Sequence, residues 1–199
     1  MSVMDEIKNR IHAMPEGDIM MTSDFADLSS ITTIRKCLGR CVSEGMIHRV
    51  FDGVYEKPKF SKLLKEYIPA NPEKVACALA RTYHWTIAPC GDIALNKLGL
   101  TTQVPTVFTY ISDGPYRSFG WDNIQLIFKH RANREISKLS QQTVLVTEAI
   151  RALGKDRITE NIITQLRNRL PESDKMLILN EATTCSEWIY ETIRRVCMV

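Results

Sequence analysis

The sequence predicts an α+β protein in two parts, an N-terminal domain over 1–60 and a larger C-terminal domain over 61–199. Three observations predict it. Apolar residues recur at helical spacing in the first 45 residues and again after residue 139. Between these segments lie short β-branched and aromatic runs, parted by Asp-Gly and Asp-Asn turn signals. The length of 199 residues suits one large domain or two small ones.

Ser2 followed by Asp5 is a capping pattern, and Ile7 and Ile11, with Val3 and Met4, mark one face of a first helix ending near Met14-Pro15. "EGDIMMT" reads as a turn and a short strand. Thr22 or Ser23 caps a short second helix with Phe25 and Leu28 inward. Ser29 and Ser30 end that helix and cap a third, in which Ile31, Ile34, Cys37, Leu38, Cys41 and Val42 recur at helical spacing. Gly45 supplies the left-handed residue that closes it. "MIHRV" and "VYEKP" read as two strands around Asp52-Gly53, and Pro58 stops the second. The order helix, strand, helix, turn, helix, hairpin is that of a winged helix-turn-helix. In that fold the third helix enters the major groove and the hairpin touches the DNA backbone.

"KFSKLLKEYIPA" reads as a connector. Asn71-Pro72-Glu73 is a strong helix start, with Asn at the N-cap, Pro in the first position and an acid in the first turn; that helix runs to about Tyr83. "HWTIAP" reads as a short strand and "GDIALNKLG" as a short helix closed by Gly99. "TVFTYIS", "YRSFGW" and "IQLIFKH" are three strands of a small antiparallel sheet, with turns at Asp113-Gly114 and Asp122-Asn123. Three helices finish the chain. The first spans about 139–153, closed by Gly154; the second about 159–170, with Ile162, Ile163, Leu166 and Leu170 inward. The last is one long helix over about 173–196, with Ile178, Ala182, Cys185, Ile189 and Ile193 on one face.

Net charge is only +3, with 44% apolar and 25% charged residues, so charge matters here only where it is local. The third helix is such a place. Opposite Ile34, Leu38 and Cys41 stand Thr32, Lys36, Gly39, Arg40 and Ser43, flanked by Thr33 and Arg35, with no acid before Glu44. Arg and Lys donate to guanine edges or phosphates, and Ser and Thr reach bases or backbone. Gly39 leaves room for close approach, and the helix start at Ser30 offers free N–H groups to a phosphate. The wing adds Arg49 and, beyond it, Lys57, Lys59 and Lys62, and Tyr55 is placed to stack or hydrogen-bond at the backbone. The candidate DNA-binding set is therefore Ser30, Thr32, Thr33, Arg35, Lys36, Arg40, Ser43, Arg49, Tyr55 and Lys57.

Other chemistries find little footing. There is no phosphate-cradling G-x-x-x-x-G-K-[ST], no G-x-S-x-G and no H-E-x-x-H. The histidines, His12, His48, His84 and His130, are isolated, and His84 beside Trp85 reads as a strand-edge residue. Cys37 and Cys41 share a helix face, and with His48 nearby they are conceivable metal ligands. Zinc sites draw ligands from knuckles, however, so both read as small core residues. The six cysteines form no disulfide framework. No apolar run approaches the roughly 18 residues of a membrane span, and the N-terminus has no apolar signal core. The expectation is a cytoplasmic protein with no enzymatic activity, cofactor or metal.

The Gly53-Val54-Tyr55 of the wing, the block Ala94-Leu95-Asn96 through Leu98-Gly99-Leu100, Thr102-Gln103-Val104-Pro105 and the strand end Phe128-Lys129-His130 form an ordered set. That set resembles the AbiEi-like antitoxin family over nearly the whole chain. The resemblance implies an N-terminal winged helix, a C-terminal antitoxin domain, and a bacterial regulator in a type IV toxin–antitoxin pair. Such a protein represses its own operon by binding inverted repeats in double-stranded DNA. Two chains, as a homodimer or bound side by side, would place their third helices in successive major grooves of the repeat. The regulator counters a nucleotidyltransferase-like toxin without a stable complex. By position in the third helix, the resemblance carries DNA contact onto Ser30, Thr32, Thr33, Lys36 and Arg40; the antitoxin role carries over only at the level of the domain. The competing readings are a protein-interaction module built on the same scaffold, a lone winged-helix regulator without a toxin, and an enzyme without recognisable motifs.

Overall fold

The computed structural model describes residues 2–132 and 136–198. It is a mixed α+β protein with small, largely antiparallel sheets and a helical C-terminal part, and it divides into two compact units. The first comprises Met1–Trp85 and Gly120–Ile124, the second Thr86–Phe119 and Gln125–Val199. The boundary expected at residue 60 thus falls inside the first unit.

The first unit opens with α1 (Val3–Ala13). Ser2 Oγ accepts from the Asp5 N–H at 3.2 Å and the Asp5 carboxylate accepts from the Ser2 N–H at 3.0 Å, so two otherwise orphaned donors are satisfied reciprocally. Strand β1 (Ile19–Met21) follows, then one 3₁₀ turn, Thr22–Phe25, where a short α-helix was expected. Neither Thr22 nor Ser23 caps it. The Asp24 carboxylate does, accepting from the Met21 N–H at 2.8 Å, and a single turn suffices to bury Phe25.

Helix α2 (Ile31–Ser43) starts where Ser30 Oγ accepts from the Thr33 N–H. It ends at a left-handed Gly45, with Met46 N–H donating to Cys41 C=O and Gly45 N–H to Val42 C=O, the two bonds of a Schellman closure. Strands β2 (His48–Phe51) and β3 (Val54–Glu56) turn at Asp52-Gly53, and the antiparallel sheet has the order β1-β3-β2. Ile7, Ile11, Met20, Phe25, Ile34, Leu38, Cys41, Ile47 and Tyr55 form the core beneath α2.

The segment expected to be a connector holds a second hairpin, β4 (Lys59–Ser61) with β5 (Glu66–Ile68). Its alternation is carried by Phe60 and Tyr67, too few residues to register as a period. Helix α3 (Pro72–Tyr83) begins as the sequence requires, with Asn71 Oδ1 accepting from the Glu73 and Lys74 N–H groups. Val75 and Leu79 are buried, and ion pairs Lys74–Asp18 (2.6 Å) and Arg81–Asp24 (2.8 Å) tie α3 to the β1 region, which draws the first unit out to residue 85.

The second unit contains β6 (Ile87–Pro89), α4 (Asp92–Lys97), β7 (Val107–Ser112), β8 (Arg117–Trp121) and β9 (Ile124–His130), the β8–β9 tip grouping with the first unit. The sheet has four strands in the order β6-β7-β9-β8, not three, and β7 and β9 run parallel, Val107 opposite Gln125 through Ser112 opposite His130. Helices α5 (Gln141–Leu153), α6 (Glu160–Arg169), α7 (Glu172–Glu181) and α8 (Glu187–Cys197) complete it. Their core includes Val146, Ile150, Ile163, Leu166, Ile178, Ile189 and Ile193.

The long last helix expected over 173–196 is two helices. After α7 comes a 3₁₀ turn, Ala182–Thr184, then an extended Cys185 (ψ 170) and Ser186 (ψ 146) at the start of α8. The reason is local competition. Thr183 Oγ1 donates to Asn180 C=O and Thr184 Oγ1 to Glu181 C=O, taking carbonyls that a continuing helix needs. Ile178, Ala182, Ile189 and Ile193 stay buried on both sides of the break, which is why the apolar spacing reads as continuous. Among the described residues, no helix is long and apolar enough to cross a membrane.

Candidate nucleic-acid interface

Helix α2 sorts its side chains as its periodicity demands. Ile34, Cys37, Leu38 and Cys41 are buried, while Thr32, Arg35, Lys36, Arg40 and Ser43 are exposed and Thr33 is half-buried. Both cysteines therefore face the core, and burial pushes the Cys41 thiol upward, which suits a packed thiol and not a ligand. Among the described residues no His, Cys, Asp and Glu group could hold a metal ion. Gly39 stands on the outer side, and a Cβ built there meets nothing within 4 Å.

Three acids of the first unit are held by cations outside α2. Glu44, at the far end of α2, pairs with Lys8 at 2.7 Å. Arg10 grips Asp27 with two nitrogens, at 2.9 and 2.5 Å, and holds that carboxyl below its ordinary range. Arg81 holds Asp24. By contrast, among the described residues Arg35, Lys36 and Arg40 have no carboxylate partner. Three cations at i, i+1 and i+5 on a capped helix thus present uncompensated charge to solvent.

The hairpin contributes less than its composition suggests. Arg35 and Arg49 line one cleft between α2 and the β2–β3 turn, with Asp52, Gly53 and Tyr55. The Arg49–Asp52 contact is long, 3.8 Å, between side chains that are 48% and 103% exposed, so it binds Arg49 weakly. Arg49 also lies over the Tyr55 ring, 5.6 Å from its centre. Tyr55 itself is 2% exposed and belongs to the core, so it cannot stack at a DNA backbone. Lys57 is committed elsewhere: its Nζ donates to His12 C=O (2.9 Å) and Met14 C=O (2.6 Å), satisfying carbonyls at the end of α1. Both leave the contact set. Ser30 keeps its capping role, its Oγ also 3.0 Å from Thr33 Oγ1, and Ser43 Oγ donates back to Gly39 C=O. Lys65, absent from the basic residues expected near the wing, stands exposed with Lys59 and Lys62, and the second hairpin is what brings the three together.

Outside the first unit, His130 Nδ1 lies 2.9 Å from Gly114 C=O, and Asp113 accepts from the Thr86 N–H, so both serve turns. His84 is not a strand-edge residue. It adopts the left-handed conformation (φ 56) that ends α3.

Residues 6–178 match the model of a family described as "Family of unknown function (DUF6088)". A search of curated proteins found no match.

Proposed function

We propose, for a chain that belongs to the DUF6088 family, that the first unit is a winged helix-turn-helix and that the protein is a DNA-binding transcriptional repressor of its own operon. Helix, strand, short 3₁₀ turn, helix and hairpin follow in the winged-helix order, and the sheet order β1-β3-β2 suits that fold. In this reading α2 lies in the major groove and the β2–β3 hairpin rests on the backbone. The observation that carries the proposal is the outward face of α2, where Arg35, Lys36 and Arg40 are exposed and, among the described residues, without a carboxylate partner, while Glu44, Asp27 and Asp24 are bound by Lys8, Arg10 and Arg81. Thr32 and Ser43 flank them as hydrogen-bonding groups, and Gly39 opens the surface between them. Two chains on an inverted repeat place two such helices in successive major grooves.

The second half of the proposal, that the repressor is also the antitoxin of a type IV pair with a nucleotidyltransferase-like toxin, is supported by the sequence resemblance alone. Co-expression with the product of the neighbouring gene tests that half: rescue of growth supports it.

The DNA reading is tested by fluorescence anisotropy on DNA from upstream of the protein's own gene, at several salt concentrations. Lys36→Ala with Arg40→Ala weakens binding and lowers the slope of log K against log salt by about 2. A double variant that binds like the wild-type protein across the salt series overturns the reading. Binding of the wild-type chain to a protein partner, with none to DNA even at low salt, would favour the interaction-module reading instead.

A further inference from the structure

The DNA reading draws only on lysines of the second hairpin, yet among the described residues Leu63 at its tip is the most exposed large apolar side chain. β4 and β5 pair as Lys59–Ile68, Phe60–Tyr67 and Ser61–Glu66, and the turn is Lys62-Leu63-Leu64-Lys65. Leu63 is 91% exposed and Leu64 62%. The turn is tightly built. Ser61 Oγ accepts from the Leu64 N–H at 3.1 Å, Ser61 C=O accepts from the Lys65 N–H at 2.8 Å, and Lys65 takes the left-handed conformation (φ 57). The Phe60 and Tyr67 rings meet edge to face, 5.3 Å apart, and brace the two strands. Tyr67 also meets the His48 ring of β2 at 4.8 Å, so the base of the hairpin is seated against the strand that carries Arg49. The result is a stiff arm with two leucines at its end and an exposed lysine at 59, 62 and 65.

We infer that this arm is an intercalating wedge for double-stranded DNA: the lysines hold phosphates on either side while Leu63 or Leu64 enters between base pairs from the minor groove. The inference rests on the reading of the first unit as a DNA-binding domain. Leucine is one of the apolar side chains that proteins insert at base steps, unstacking them and kinking the duplex by about 20–90°. Charge selects the partner. Three exposed lysines against one acid, Glu66, match a polyanion. The same charge disfavours a second copy of the arm as the occupant, since like would face like. A bilayer is a poorer match as well. Two leucine side chains offer fewer carbons than one fatty-acyl chain, which by itself anchors a protein only marginally.

The test uses the full chain and the upstream DNA, with 2-aminopurine placed at successive positions and a donor–acceptor dye pair on the duplex ends. Wild-type protein is expected to shorten the end-to-end distance and to raise 2-aminopurine fluorescence at one step. Leu63→Ser with Leu64→Ser alters only exposed side chains; it is expected to bind the same duplex but to lose both signals. Lys59→Gln with Lys62→Gln and Lys65→Gln lowers the salt slope by about 2.7. Wild-type binding without bending or unstacking, or equal bending by the serine variant, overturns the wedge while leaving the DNA reading intact. A wild-type chain that binds no DNA sinks both. Leucine-dependent sedimentation with phosphatidylserine vesicles and no DNA bending would assign the arm to a membrane. A dimer that the serine variant dissociates without changing the bend would assign it to self-association. Either result removes the wedge.

Discussion

Glu56 makes the sharpest prediction about the first unit. It lies on β3 between Ile19 of β1 and His48 of β2, 5% exposed. Among the described residues its carboxylate has no hydrogen bond or ion pair. Burial pushes its pKa from 4.5 up to about 7; Asp122 adds to the rise and Lys74 opposes it. Each unit is worth about 1.4 kcal/mol, so ionising Glu56 in the folded protein costs up to about 3 kcal/mol. The sign follows from proton binding. Between pH 4.5 and 7 the folded state holds a proton that the unfolded state has lost, so stability falls as pH rises through this window. Below 4.5 both states are protonated and nothing is lost; above 7 the full cost is present. Glu56→Gln keeps the shape and removes the charge. It should match the wild-type protein near pH 4 and exceed it by up to about 3 kcal/mol near pH 8. Urea denaturation followed by circular dichroism across that range measures both. A stability difference that stays constant with pH, or a glutamine variant less stable near pH 8, would refute the argument.

Two further substitutions separate folding from binding. Gly39→Ala meets no neighbour within 4 Å, so the helix-propensity gain of up to about 1 kcal/mol should appear in full as a higher melting temperature. On the proposed interface the added methyl should weaken DNA binding, and a variant that is more stable yet binds unchanged would remove Gly39 from the contact surface. Lys57→Ala loses two charge-assisted bonds to the α1 carbonyls and should cost about 1–3 kcal/mol of stability. Its DNA salt slope should not move; a fall of about 0.9 would return Lys57 to the phosphate contacts.

Local chemistry in the chain determined a good deal of this protein. Ser2 with Asp5, Ser30, Gly45 and Asn71-Pro72 mark helix ends in the sequence because a cap is satisfied by atoms two to five residues away. The buried face of α2, and with it the inward turn of Cys37 and Cys41, is legible because apolar spacing alone orients a helix. What tertiary structure decided needs partners far along the chain. Tyr55 looks available until it joins the core that holds Phe25, Ile34 and Leu38, and Lys57 looks free until the end of α1, more than 40 residues earlier, takes its ammonium. The parallel pairing of β7 with β9 carries no local signal, because strand pairing depends on which segments meet. The break at 182–186 lies hidden under an apolar spacing that two helices share across it. So the cationic face of α2 follows from sequence periodicity, and the pairing of Glu44, Asp27 and Asp24 with other cations follows from where Lys8, Arg10 and Arg81 are folded.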